Sequence, residues 1–380
     1  MIKLLTIIGA RPQIIKAAAI SREISLQFQN KVEEKILHTG QHYDANMSDV
    51  FFKELGIPFP DYNLNVGSAS HGVQTARMIE GIEQVLLMGD FDGVILYGDT
   101  NSTLAGAVAA SKLHFPIFHV EAGLRSFNMT MPEEVNRIVC DQLSSILFAP
   151  TTTAIENLRR EGFDNSMTLF ANGRKRIVKN SGDVMYDNSL HYSQFSSKYS
   201  SIIKDLQIEP YNYILSTIHR NNNTDEPIRI EAIVNALLDI AETRQINVVL
   251  PLHPRTNKIL PQNLTNKSYT RLQKSKWIKI IPPASFYEII ELEKNARIVM
   301  TDSGGIQKEA FFFEKPCVIL RSETEWVEIV KHKAGIVTDA NYLRIIEAYE
   351  ILENSKISFP PLFGDGHAAN HILNSILTYL

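Results

Sequence analysis

The sequence predicts an α/β protein built from two Rossmann-like, doubly wound units, and three observations carry that reading. Short apolar, β-rich runs alternate with longer helical patterns from one end of the chain to the other, as parallel sheets covered on both faces require. The 380 residues exceed one ordinary core and suit two domains of about 150 to 200 residues. Polar and charged residues gather directly after the apolar runs, and open α/β sheets hold their ligands beyond the carboxyl ends of their strands.

In the first half the runs are Leu4–Ile8, Lys35–His38, Gly93–Tyr97, Ile117–Val120 and Ile146–Ala149. The opening stretch has the apolar content of a short signal sequence, but it is brief and ends in Gly-Ala-Arg-Pro without a cleavage site. A first buried strand accounts for it better. Val73, Ala76, Ile79, Ile82 and Leu86 recur at helical spacing. The second half repeats the alternation, with strands at Tyr213–Ile218, Asn247–Leu250, Ile278–Ile281, Arg297–Met300 and Cys317–Leu320 and helices such as Ile228–Thr243 and Tyr342–Leu352. A crossover is expected near Asn180-Ser181-Gly182-Asp183, after an exposed polar loop, Asn172-Gly173-Arg174-Lys175-Arg176. A second break at Phe359–Gly366 precedes a closing helix, His367–Leu380. These boundaries give an amino-terminal domain over 1–180, a carboxyl-terminal domain over 181–362, and a segment 363–380 that packs back on the first domain. The serine-rich His191–Ser201 reads as a solvated helix or loop, and no internal repeat is visible.

At 44% hydrophobic and 21% charged the chain has a soluble globular composition. Its net charge of −4 and the absence of a lysine and arginine block exclude a nucleic-acid partner. No apolar stretch approaches the ~20 residues that span a bilayer, so no membrane partner and a cytoplasmic location are expected. Cys140 and Cys317 lie in apolar surroundings with no metal-ligand spacing and read as reduced core thiols.

The most informative segment is Thr301-Asp302-Ser303-Gly304-Gly305-Ile306-Gln307-Lys308-Glu309, which follows Ile298-Val299-Met300. A strand turning into a helix through Ser-Gly-Gly aims bare N–H groups at an anion. Ser303, Gly304 and Gly305 therefore form a phosphate seat, and Glu309, further along the helix, offers an acceptor for ribose hydroxyls. The competing reading is a small turn that only lets a helix pack close to a sheet.

Asp99, Glu121, Glu133 and His219 follow strands or lie in adjacent loops. Carboxylates converging on one cleft repel, which raises a pKa and supplies acid and base together. Each carboxylate alone reads equally as a cap or an ion pair, and Asp99 as the cap of the helix after it. His219, beside Arg220, suits phosphate binding and proton transfer, or a structural role. Arg11 and Lys16 suit phosphate contacts or solvated charges. Glu134 and Arg137 read as helix-surface charges with i, i+3 spacing. No GxGxxG, Walker A, HExxH or EF-hand pattern occurs, so neither a metal nor a redox cofactor is expected.

With these motifs in view, the chain resembles the non-hydrolysing UDP-N-acetylglucosamine 2-epimerases. The resemblance spans nearly the whole length through GARPQIIKAA, TGQHYDANM, YGDTNSTLAG, HVEAGLRSFNMTMPEEVNR, STIHR, PLHPRT and TDSGGIQKEAFFFEKPCVILRSETEWVE. GQHYDANM, SFNMTMPEE and TEWVE are most similar to the branch acting on the 2,3-diacetamido-glucuronate form of the UDP-sugar. The resemblance implies the glycosyltransferase-B arrangement, an active site in the interdomain cleft, a UDP-sugar substrate, no cofactor and a homodimer. It implies elimination of UDP through a glycal-like intermediate, followed by re-addition with C2 inverted. By position it makes Asp99, Glu121, Glu133 and His219 catalytic, and Arg11, Lys16, Arg137, Ser303, Gly304, Gly305 and Glu309 substrate contacts. Which carboxylate takes the C2 proton stays open.

Three departures stand out. Where many relatives read Thr-Glu-Arg-Pro-Glu this chain has Thr324-Glu325-Trp326-Val327-Glu328, leaving Arg321 to replace the lost arginine. Asn221 replaces the second arginine of His-Arg-Arg, and Asp44 a glutamine. Those two positions belong to the family's allosteric UDP-sugar site, so activation by substrate is not expected. A hydrolysing 2-epimerase, a glycosyltransferase of the same fold and a nucleotide-sugar sensor remain as alternatives.

Overall fold

Seven strands lie side by side in the first unit of the computed structural model, which comprises Met1–Asn188 and Pro361–Leu380. They are β1 (Ile2–Ile8), β2 (Val32–His38), β3 (Tyr62–Asn63), β4 (Gly93–Tyr97), β5 (Ile117–Val120), β6 (Ile146–Ala149) and β7 (Ile177–Asn180). Every pairing is parallel, in the order β3-β2-β1-β4-β5-β6-β7. The structure describes residues 1–41, 52, 55–163 and 175–380.

The second unit, Ser189–Pro360, carries β8 (Tyr213–Thr217), β9 (Asn247–Pro251), β10 (Ile278–Ile281), β11 (Ile298–Thr301), β12 (Cys317–Ile319) and β13 (Gly335–Val337). Its order, β10-β9-β8-β11-β12-β13, is again parallel throughout. The expected α/β class is therefore present twice. Central strands β4 and β8 are buried along their whole length, which is why they read as unbroken apolar runs. In each unit the strand order reverses once, between β1 and β4 and between β8 and β11. Such switch points open a crevice past the strand ends.

Several sequence expectations need correction. The stretch ending at Asn180 pairs with β6 as strand β7, so the chain stays in the first unit through Asn188. Arg176 is not in an exposed loop: it is buried, donates to the carbonyls of Gln142 and Ser144, and lies over the Phe163 ring. Lys175 is exposed as expected, and 172–174 lie outside the described residues. The helix His71–Met88 buries Gln74, Met78, Ile82, Val85 and Leu86, whereas Val73 and Ala76 are exposed. Gln74 turns that face inward because its amide donates to the carbonyls of Gly67 and Gln41. The serine-rich segment is helical over 191–193 and Ser196–Tyr199, as one of the two readings expected, but Ser196 is buried against Glu291 rather than solvated.

The last helix, Ala368–Tyr379, belongs to the first unit, where Asp187 accepts hydrogen bonds from the Ala368 and Ala369 amides at its N-terminus. Both cysteines are buried and unpaired with each other. No helix among the described residues is long and apolar enough to cross a membrane.

Candidate active site

At the first switch point, β1 runs into the helix Arg11–Glu23 and β4 into the helix Asn101–Lys112. Gln13 ties these two turns together: its carbonyl accepts from the Gly9 and Ala10 amides, and its NH2 donates to the Tyr97 carbonyl and to Thr103. Lys16, one turn further on, reaches Glu121 Oε1 at 2.6 Å. Gly98 makes that reach possible. It has φ +61°, and a Cβ there would sit 3.1 Å from Lys16 Nζ.

Glu121 follows β5 with φ +74°, a strained value for a residue with a side chain. The Phe148 carbonyl, which accepts from both the Glu121 and Ala122 amides, holds the bend. Asp99 Oδ2 meets Arg137 Nη2 at 2.6 Å, and Arg137 Nη1 meets Glu134 Oε2 at 2.7 Å. Burial raises the Asp99 pKa; Arg137 and Lys16 oppose the rise in part, and Glu121 adds to it. The expected convergence of carboxylates thus contributes, with burial as the larger cause. Thr100, not Asp99, caps the following helix, accepting from the Thr103 amide.

Glu134 and Arg137 are not surface charges, because both side chains are buried. Burial pushes the Glu134 pKa up, but the Ser126 amide, Arg137 and the Phe127 amide together outweigh it and bring the pKa below its usual value. Glu133, one residue before, is exposed at the start of the helix Pro132–Leu143. Together with Arg11 and Asp99 it lines a cleft of about 530 Å³, whose wall also includes Gln74, Asn101 and Asn136.

Sequence reasoning missed two groups here. His119 is fully buried within β5, with Nδ1 2.7 Å from Asp141 Oδ1 and Nε2 2.8 Å from the Gly98 carbonyl. A carbonyl only accepts, so Nε2 carries a proton. Burial opposes the charge on His119, but Cys140 and Asp141 outweigh it and hold its pKa well above the usual value. The signal was a histidine among Ile117, Phe118 and Val120, a buried polar group that needs partners; its partner is 22 residues away. Asn136 donates to the Asp99 carbonyl at 2.9 Å and pins that loop from the other side.

At the second switch point, Asp302 follows β11 and is fully buried. It accepts from the His219 and Arg220 amides and from Asn223, and His219 Nδ1 lies 2.8 Å from its Oδ1. Burial pushes the Asp302 pKa up, yet His219 and the Arg220 amide outweigh it, and the net shift is downward. The His219 side chain is 52% exposed, so its anchored Nδ1 leaves Nε2 as the outward nitrogen. Asp302 lay inside the quoted motif, but its service to His219, 83 residues earlier, was not legible.

Ser303 caps the helix Gly304–Phe312, accepting from the Ile306 amide. A Cβ on Gly304 would lie 3.3 Å from Glu325 and 3.7 Å from Arg321 Nη1, and Arg321 is paired with Glu325 at 2.7 Å. Trp326, in the departure from Thr-Glu-Arg-Pro-Glu, donates its indole N–H to the Gly304 carbonyl at 2.9 Å and carries Lys308 over its ring. Glu309 follows on the same helix. The first unit thus gathers Arg11, Lys16, Asp99, Glu121, Glu133 and Arg137, and the second gathers His219, Ser303, Gly304, Gly305, Glu309 and Arg321.

Residues 24–377 match the family model described as UDP-N-acetylglucosamine 2-epimerase. The chain belongs to this family. It is 47% identical to the UDP-2,3-diacetamido-2,3-dideoxy-D-glucuronate 2-epimerase of Pseudomonas aeruginosa, over 97% of this chain and 98% of that one. It is 41% identical to the UDP-N-acetylglucosamine 2-epimerase of Methanocaldococcus jannaschii, over 99% of both. The crystal structure of the Methanocaldococcus jannaschii UDP-GlcNAc 2-epimerase in complex with UDP-GlcNAc and UDP superposes with a TM-score of 0.84, at 40% identity and 100% coverage of both chains. Of the two departures at Asp44 and Asn221, Asp44 lies outside the described residues, whereas Asn221 accepts from Arg255 at 2.7 Å.

Proposed function

We propose that this protein inverts C2 of a UDP-2-acetamido sugar, either UDP-N-acetylglucosamine or its 2,3-diacetamido-glucuronate relative, as a step toward surface polysaccharide precursors. The observation that carries the reading is a division of chemistry between two switch points of one topology. One presents carboxylates paired with cations, Glu121 with Lys16 and Asp99 with Arg137. The other presents a capped glycine helix start beside a histidine oriented by a buried aspartate.

In this reading the diphosphate sits on the Ser303, Gly304 and Gly305 amides with Arg321, the ribose hydroxyls meet Glu309, and Arg11 and Lys16 add phosphate contacts. A carboxylate among Asp99, Glu121 and Glu133 removes the C2 proton. The C–H electron pair becomes the C1=C2 bond as the C1–O bond breaks, and UDP leaves with a proton from His219 Nε2. Protonation from the opposite face and re-addition of UDP complete the inversion, with no net oxidation and no cofactor. A cytoplasmic homodimer completes the proposal, on family resemblance alone; light scattering on purified protein tests the dimer.

Turnover in deuterated buffer tests the chemistry. One deuterium at C2 of the product is expected, and an inverted product without label overturns the elimination. Stoichiometric release of UDP with the free sugar would make the protein a hydrolysing enzyme instead. An NMR panel of UDP-2-acetamido sugars, with and without the 3-acetamido and 6-carboxylate groups, assigns the substrate.

A further inference from the structure

Glu293 lies in the last turn of the helix Phe286–Asn295 with its side chain entirely removed from solvent. Neither of its carboxyl oxygens receives a hydrogen bond from any N–H or O–H among the described residues. Two donors on its own helix and the Tyr213 hydroxyl are committed elsewhere. Asn295 donates to Glu291, Lys294 to the Ser193 carbonyl, and the Tyr213 hydroxyl to the Leu292 carbonyl at 2.5 Å. What stands against Glu293 is a second carboxyl group, that of Glu309 on the glycine-rich helix.

Two ionised carboxylates in contact, one of them buried without a donor, are not a stable arrangement. Protonating the buried partner resolves both faults at once. The neutral acid gains an O–H that donates to the Glu309 carboxylate, a short charge-assisted hydrogen bond. Burial first, and Glu309 second, push the Glu293 pKa well above the carboxylate range, in agreement with that assignment.

We propose that Glu293 is a positioning residue: a buried carboxylic acid whose hydroxyl holds the Glu309 carboxylate in place for the ribose hydroxyls of the UDP moiety. This rests on the reading of Glu309 given above and deepens it. A fixed donor on the Glu309 carboxylate restricts its orientation before the ligand arrives and so lowers the ordering cost of meeting the ribose hydroxyls.

The test is a double-mutant cycle on the full-length protein, read as the dissociation constant for UDP by calorimetry. Glu309→Gln weakens UDP by about tenfold or more, the loss of a charge-assisted contact. Glu293→Met, which has no donor, gives a loss of about fivefold to tenfold, and the double variant is no weaker than E309Q within about twofold. Glu293→Gln, whose NH2 donates in the same place, stays within about threefold of the parent. With 2′-deoxy-UDP as the probe the penalty of E293M shrinks.

Failure separates the two claims. If E309Q binds UDP as the parent does, the ribose reading falls and the inference with it. If E309Q is weakened while E293M is not, the inference alone falls. Should E293M not fold, infrared spectroscopy decides: the parent shows the carbonyl stretch of a protonated carboxylic acid, which E293Q removes, and a parent without that band overturns the proposal.

Discussion

Asp99 and Asp302 stand at matching places in the two sheets, just past the strand beyond each switch point, and they are held in opposite ways. Asp99 is met by side chains: Arg137 directly, with Lys16 and Glu121 close enough to shift its charge. Asp302 is met by the His219 ring, by the amides of His219 and Arg220 beyond β8, and by Asn223. One pKa is raised, the other lowered. Cationic side chains can shift as a proton comes and goes. Amides at a strand end cannot move without disturbing the sheet. The first arrangement suits a group that exchanges protons, and the second suits one that fixes the direction of its neighbour.

The sharpest way to break that contrast is to remove the carboxylates of the first unit. Asp99→Asn and Glu121→Gln each lower the rate of C2 deuterium incorporation by about a thousandfold or more, the range for loss of a proton carrier. Binding of UDP changes far less than the rate, because the proposed seat on the Ser303, Gly304 and Gly305 amides is untouched, although E121Q also releases Lys16 from its carboxylate partner. A variant that loses UDP binding and keeps exchange would reverse the roles assigned to the two switch points.

Next in size is Asp302→Asn. The amide cannot serve His219 Nδ1 and the two backbone amides as the carboxylate does, so His219 loses its fixed tautomer. The rate falls by about a hundredfold, and the 15N signals of the His219 ring show both tautomers where the parent shows one. A parent that already shows a mixture would argue against Asp302 as the orienting group.

A smaller effect is expected from His119→Gln. Its amide still donates to the Gly98 carbonyl but withdraws the positive charge beside Asp141. A fall in kcat of about tenfold with KM held within twofold would mark a positioning role. A rise in KM alone would place His119 in ligand binding instead.

The sequence carried the α/β class because parallel strands buried on both faces leave a direct trace in the apolar pattern, as in β4 and β8. It carried the site in part, since strand-end positions are legible wherever strands are. The strands missed were β3, β7 and β13, which lie at sheet edges and are partly exposed, so they lack the unbroken apolar run that marked equally short buried strands such as β6 and β12. The repeated strand order was equally hidden, because topology is set by which strands pair and no repeat of residues is needed. The partners His119–Asp141 and Asp302–His219 lie 22 and 83 residues apart, so only folding brings them together. Arg137 shows the same limit from the other side. Its i, i+3 spacing to Glu134 is local and readable, but burial turned a surface pair into the buried support of Asp99.

The finest test of the comparison is the sign of a pH dependence. Asp99 binds its proton more tightly in the folded chain than in the unfolded one, so its contribution to stability is complete below the unfolded pKa of about 3.9 and is lost as pH rises through the folded value. Asp302 binds its proton less tightly when folded; its contribution is complete above the unfolded pKa and is lost as pH falls through the folded value. Replacing either by asparagine removes that titration. Relative to the parent, Asp99→Asn therefore gains stability as pH rises from about 4, whereas Asp302→Asn gains it as pH falls below about 4. Denaturant unfolding of both variants and the parent across that range measures the two slopes. Opposite signs follow from burial outweighing the cations beside Asp99, and from His219 and the Arg220 amide outweighing burial at Asp302, and two slopes of the same sign would show that burial alone governs both aspartates.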